Sequence, residues 1–326
     1  MKKLRGSSFA VKLAALAILT ITTFCFGTLN ATAEKKVSNA PYIGISPYKT
    51  TLEIEPGKTY DGQFRVSNVG EVDFEYELSV APYSVIDENY TADFVTVNDY
   101  TRIAEWITFE GKDVKGKLAP HTASDYITYT IKVPENIPAG SQFAIIKATA
   151  LNDPNQSEGF AIQIVTSAGM ILYANTKGAS TRPGAKIIDN KIPAFLSAGP
   201  LNATSLVENY GNVFAEVKYT LEVRSIFGGD PIYTNATSDD EAVTSMLLPE
   251  TKRFNTQTWS NVPFFGIFKV RQAISVFDQN SDIEQIVIVC PFWLIIVVIV
   301  AIVAIVVWLK ARSNARKQKS GMAKNI

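Results

Sequence analysis

Residues 292–309 form an unbroken apolar run of eighteen, and no charged side chain occurs from Gln285 to Leu309. As a helix rising 1.5 Å per residue the run is about 27 Å long. With help from its flanks, that crosses a hydrocarbon core of roughly 30 Å. Fourteen of the eighteen are Phe, Leu, Ile or Val, and at roughly −0.4 kcal/mol apiece they favour insertion by about 6 kcal/mol. A core helix of a soluble protein carries a polar stripe, and this run has none. Pro291 suits a first helical turn, where its missing N–H costs nothing. Trp293 and Trp308 stand where aromatic belts belong. A membrane helix is therefore expected over 289–309, with Trp293, Trp308, Lys310 and Arg312 as anchors.

Orientation follows from charge. The tail, 310–326, has six basic residues and no acid, which places it in the cytoplasm and the upstream chain outside. At the other end, residues 1–33 carry Lys2, Lys3, Arg5 and Lys12, a short apolar run, then Ala31-Thr32-Ala33 before Glu34. That is the pattern of a cleaved signal peptide. Cys25 follows Thr22-Thr23-Phe24 and lacks a lipobox. Subtracting the ten basic residues of the two ends from 31 leaves 21 against 31 acidic ones, a net charge near −10 for residues 34–309. Such a surface repels phosphate, so nucleic acid is not an expected partner.

Between the ends the apolar residues alternate, the mark of strands with one buried face. Leu52 and Ile54 lead to the turn Pro56-Gly57-Lys58, with Phe64 and Val66 on the next strand. Phe74, Tyr76, Leu78 and Val80 alternate with polar residues, and so do Ile127, Tyr129, Ile131 and Val133. Short strands separated by Gly, Pro and Asn turns predict an immunoglobulin-like sandwich.

The order then repeats. Ser67-Asn68-Val69-Gly70 and Leu118-Ala119-Pro120-His121-Thr122 in the first half correspond to Glu208-Asn209-Tyr210-Gly211 and Leu248-Pro249-Glu250-Thr251-Lys252 in the second. The sequence is therefore read as a first sandwich over 40–175, a linker over 176–186 and a second sandwich over 187–288. An insertion rich in Tyr, Asp and Asn occupies 83–105. The last strand is expected to end near Phe277.

The run Ser46-Pro47, Leu52-Glu53-Ile54-Glu55-Pro56-Gly57, Val66-Ser67-Asn68-Val69-Gly70, then Val133-Pro134-Glu135-Asn136-Ile137-Pro138-Ala139-Gly140 resembles the first domain of the WxL-interacting surface proteins of Gram-positive bacteria. The resemblance implies a peptidoglycan-binding first sandwich, a second sandwich that binds host or partner protein, and a C-terminal membrane anchor.

Chemistry finds little footing. A single histidine, His121, sits in a turn with no second histidine for a metal site, and no Gly-x-Ser-x-Gly elbow occurs. No cofactor and no catalysis are expected. Asp87, Asp93 and Asp99 offer oxygen ligands without the spacing of an EF-hand loop, so a calcium-dependent receptor or surface enzyme is a rival reading. Asp239-Asp240-Glu241 is a second acidic group. A chaperone-like factor for pilus or surface assembly is another rival, and it requires an open sheet edge. Leu248-Pro249-Glu250-Thr251-Lys252 lies too far from the span for a sortase signal and reads as a strand-turn-strand corner. The expected function is non-catalytic surface adhesion or envelope scaffolding. Tyr90 and Tyr100 are the candidate exposed ligand contacts, Phe264 and Phe265 a candidate apolar tip, and Trp106 a buried residue.

Overall fold

The structure, a computed structural model, describes residues 41–110, 114–151, 166–177, 181–236 and 242–322, the side chains of 311–322 excepted. The expected signal peptide and Asp239-Asp240-Glu241 lie outside the described residues. Two tandem β-sandwiches are followed by one apolar helix, within a compact unit spanning Ala40–Ile326.

The first sandwich pairs β1 (Ile43–Ser46), β3 (Thr59–Asn68), β9 (Ile127–Lys132) and β7 (Ile107–Phe109) in one sheet. The other orders β2 (Lys49–Ile54), β11 (Ser167–Thr176), β10 (Ser141–Leu151), β4 (Phe74–Pro82) and β8 (Lys115–Leu118). Phe64, Val66 and Ile131 from the first face Ile54, Ile146 and Leu172 from the second, all fully or almost fully buried. Trp106 is half-buried against this core.

In the second sandwich, β12 (Ala185–Lys191), β14 (Leu201–Asn209) and β18 (Lys252–Trp259) face a sheet ordered β13 (Phe195–Leu196), β20 (Gln279–Val289), β19 (Gly266–Val276), β15 (Ala215–Ser225) and β16 (Tyr233–Thr234). β17 (Val243–Leu247) also pairs with β15. Its core has two apolar layers, one around Val217, Tyr219 and Leu247 and one around Leu221, Val270 and Trp259. The buried amide of Gln272 sits on β19 between Val270 and Ile274, one from each layer.

The repeat extends to individual bonds. Asn68 is buried, donates from Nδ2 to Val72 O (2.7 Å) and Leu118 O (3.3 Å), and accepts from Gly70 N (3.0 Å). Asn209 does the same with Val213 O (2.8 Å), Leu247 O (3.1 Å) and Gly211 N (2.9 Å). Their own amides donate to Thr122 O and Thr251 O. Each asparagine thus ties a strand end to a Pro-containing corner, in which the residue after the proline, His121 or Glu250, has φ near +56°. The correspondence runs Leu118–Thr122 to Leu247–Thr251, one residue earlier in the second half than the sequence comparison placed it.

A second correction concerns the last strand. It is β20, ending at Val289, so only Cys290 and Pro291 separate it from helix α1 (Phe292–Met322). A charge-free run of Val and Ile reads alike as strand or helix, which is why 285–289 merged with the flank of the span. Leu294 N and Ile295 N both donate to Pro291 O, so the first turn starts at the proline. Residues Phe292–Lys310 have a mean hydropathy of 3.3, and no part of that stretch is buried against the sandwiches.

Replacing Asn209 by alanine leaves two buried carbonyls and one N–H without their partner, at about 3 kcal/mol in total. Chemical denaturation of Asn209→Ala should report a loss of that size, and a loss below about 1 kcal/mol would show that the corner holds without the side chain.

Candidate functional site

Within the insertion over 83–105, β5 (Ser84–Val85) pairs with β6 (Ala92–Asp93), and the aromatic side chains of the insertion turn inward. The insertion closes the joint between the two sandwiches. β10 is the reason, because it is buried on both sides: Ala144, Ile146 and Ala148 point into the first core, while Phe143 and Ile145 point outward. Tyr173 on β11 joins them there, and this outer face needs a cover. The cover comes from Tyr83, Tyr90, Phe94 and Tyr100 of the insertion and from Phe214, Met246 and Leu248 of the second sandwich. The rings of Phe143, Tyr173 and Phe214 meet edge to face at 5.6–6.2 Å, a geometry worth about 1 kcal/mol per pair beyond burial.

Polar contacts fix the register. Asp87 accepts from Thr91 N (3.0 Å) and Thr91 Oγ1 (2.8 Å) and thereby shapes the turn in which Tyr90 adopts φ +63°. The Tyr90 hydroxyl accepts from Leu248 N (2.8 Å) and bonds Thr251 Oγ1 (2.7 Å). The guanidinium of Arg253 lies 4.1 Å over the Tyr90 ring while donating to Met246 O (2.6 Å). Glu88 O accepts from Phe254 N at 2.7 Å. The Tyr100 hydroxyl donates to Glu250 Oε1 at 3.0 Å. The corner that resembles a sortase signal is therefore the grip of the insertion. Ser141 completes the seam, donating from its amide to Asn212 O (2.9 Å) and accepting from Phe214 N (2.8 Å). Gly140, at φ +107°, is required beside it, because a Cβ there would run into the Asn212 carbonyl.

The expectation that Tyr90 and Tyr100 are exposed is thus overturned: both are half-buried in the seam. Burial pushes the Tyr90 phenol above its ordinary range. Burial, then the hydrogen bond and charge of Glu250, push Tyr100 up to about 12. The acidic residues do not gather either. Asp87 and Asp93 are held below the usual carboxylate range, chiefly by hydrogen bonds from Thr91 and Thr96 within their own turns. Among the described residues no group of three or more His, Cys, Asp or Glu side chains is placed to hold a metal ion. His121 is exposed, with Nε2 3.3 Å from Glu71 Oε2.

Other tyrosines hold the surface of the first sandwich. Tyr42 (66% exposed), Tyr48 (70%) and Tyr126 (65%) flank the β1–β3–β9 sheet. Arg65 on β3 places its guanidinium 5.2 Å from the Tyr126 ring. Tyr48 follows two residues after Ser46, the register partner of Arg65, and has Lys49 Nζ 6.0 Å from its ring. Among the described residues, one edge beside them is unpaired in part: β2 pairs with β11 only over Ile171–Thr176. Ile171 N donates to Tyr48 O, so the amides of Gly169 and Ser167, two and four residues earlier, point the same way, beyond the paired stretch.

Phe264 and Phe265 are exposed beside the start of the helix, with the Phe264 ring 5.6 Å from that of Trp293. Trp308 and Lys310 lie on the same helix, and Arg312 continues it.

No protein-family model matches the sequence, and no curated protein is similar to it. Among solved structures, the class 5 fimbriae chaperone CfaA is 12% identical, covering 75% of this chain and 99% of its own, with a TM-score of 0.35. The YadV chaperone is 12% identical over 76% and 99%, at 0.36. The CsuC–CsuE chaperone-adhesin complex of Acinetobacter baumannii is 14% identical over 74% and 96%, at 0.34. At such scores the likeness says nothing about this chain's partners.

The seam should respond to alkali. Its tyrosines favour the neutral phenol, with folded pKa values above the free value near 10. Their contribution is full below about pH 10 and is lost as pH rises through the folded values, about 12 for Tyr100. A fluorescence distance between labels on the two sandwiches should hold to about pH 10 and lengthen above it. Tyr100→Phe should shift the onset upward, and an onset that Tyr100→Phe leaves in place would exclude this residue as a sensor.

Proposed function

We propose that this chain is a non-catalytic, single-pass bacterial surface protein that binds a partner through its first sandwich and holds it at a set distance from the membrane. The seam carries this reading. Asn209, Phe214 and Leu248 stand at the seam end of the second sandwich, while Leu201, Trp259 and Val289 stand at the helix end. Strands of 11 residues such as β19 span about 35 Å between those ends. A partner on the first sandwich is therefore presented at that height without a swivel. The basic tail after the span supports an outward orientation.

A protein is the partner that the available surface suits best. Exposed tyrosines flanked by Arg65 and Lys49 have the composition of protein-contact anchors. Peptidoglycan, implied by the resemblance to WxL-interacting proteins, is the competing ligand. The open β11 edge favours a second reading, an assembly factor that accepts a strand from its client.

Full-length protein in detergent, offered purified peptidoglycan and surface proteins of the same organism, separates these readings. Capture of a protein that falls about tenfold or more in the Tyr48→Ala, Tyr126→Ala double variant supports the main one. Capture abolished instead by Ser167→Pro, which removes an outward amide, supports strand addition. Retention on peptidoglycan alone replaces both with wall binding, and retention on neither overturns the proposal.

A further inference from the structure

Three charge-free stretches, 192–207, 254–268 and 285–309, are far apart in the chain and meet at one end of the second sandwich. β13 pairs with the end of β20 through Phe195↔Ile288 and Leu196↔Val289, and the start of β19 pairs there through Gly266↔Val289. Cys290 N donates to Leu196 O at 2.9 Å, tying the last residues before the helix into the same end. Apolar side chains are left outward around this point. Phe264 (62% exposed) and Phe265 (59%) project from the β18–β19 loop, and Phe195, Ile267, Ile286 and Ile288 are exposed on the strands beside it. Two rings continue onto the helix itself: Phe195 lies 5.6 Å from Phe292, and Phe264 lies 5.6 Å from Trp293.

We infer that this end of the second sandwich is a lipid-binding collar, seated in the headgroup and upper acyl region of the leaflet that the helix enters. The inference rests on the membrane-tethered reading above and adds to it a second contact with the bilayer. Its depth follows from geometry. Trp293 is in the first turn of the span, at the level where aromatic side chains favour the interface. A ring 5.6 Å from it lies within one ring diameter of that depth. Amphipathic surfaces bound in this zone bury their apolar face about 5–10 Å into the headgroup boundary, enough to cover the Phe264-Phe265 tip. The lack of charge across all three stretches removes the residues that would resist such burial, and a contiguous exposed apolar patch calls for a cover. The bilayer is the cover that continuity with the span supplies.

The test uses full-length protein with Cys25 and Cys290 replaced by serine, reconstituted in vesicles of phosphatidylcholine and phosphatidylglycerol. An environment-sensitive fluorophore is placed at Phe265→Cys, at Ala301→Cys within the span, or at Tyr126→Cys on the first sandwich. The collar predicts quenching of about twofold or more at position 265 by a nitroxide carried high on the acyl chain, with protection from aqueous iodide. Position 126 should show the reverse, and position 301 should be quenched by a nitroxide deep in the chain. Iodide access at 265 equal to that at 126, with 301 still quenched by the deep probe, overturns the collar and leaves the tether standing. Protection of 265 from both quenchers also overturns it, since a protein would then be the cover. Loss of deep quenching at 301 removes the tether and the collar together.

Discussion

The molecule is organised by one face that must not meet water. The five-stranded sheet of the first sandwich is apolar on both sides, because Phe143, Ile145 and Tyr173 point away from the core that Ala144, Ile146 and Leu172 help to fill. An isolated sandwich of this kind would expose aromatic surface. Tyr83, Phe94 and Tyr90 reach over one part of it, and Phe214 and Leu248 press on the rest. The insertion, the corner at Leu248-Pro249-Glu250-Thr251 and the close approach at Gly140 are three parts of that single solution. Removing any of them leaves hydrophobic rings or backbone carbonyls without a neighbour, and the two sandwiches pack as one compact unit along a mixed aromatic and polar seam.

The sandwiches were legible in the sequence wherever one face of a strand is wet. Phe74, Tyr76 and Leu78 alternate with polar residues and are buried in turn, and Val217, Tyr219 and Leu221 do the same in the second half. Alternation fails where both faces are covered. β10 reads Ser-Gln-Phe-Ala-Ile-Ile-Lys-Ala-Thr-Ala-Leu, and its seam function was invisible because periodicity cannot say what a second apolar face touches. A usable signal did exist: Phe143 and Tyr173 are aromatic residues on the outward phase of β10 and β11, and Phe214 immediately precedes β15. Tyr90 and Tyr100 misled because a Tyr- and Asn-rich insertion looks like a recognition loop, when its hydroxyls in fact bond the second sandwich. Arg253 gave no sign at all, since a guanidinium over a ring is a relation between distant segments. Tyr42, Tyr48 and Tyr126 flank strands with no local pattern to mark them as exposed.

The paired asparagines show how far the internal repeat reaches. Asn68 and Asn209 satisfy the same three backbone groups and hold the same kind of corner. Only the second corner has been put to further use, because the insertion of the first sandwich grips it. The first corner, with His121 in place of Glu250, stays in solvent. A shared scaffold device has thus become a joint in one copy and remained a plain turn in the other, which separates what the fold needs from what the assembly of two folds needs.

The two-residue connection between β20 and the apolar helix has a mechanical meaning. Cys290 is bonded back to Leu196 and Pro291 already serves the first turn, so both residues between strand and helix are held by backbone hydrogen bonds. On the membrane-tethered reading proposed above, any lean of the helix, such as a thinner bilayer imposes on a long apolar segment, would carry the adjoining sandwich with it. Bilayer thickness would then, on that proposed reading, become a steering input for the sandwich farther from the helix.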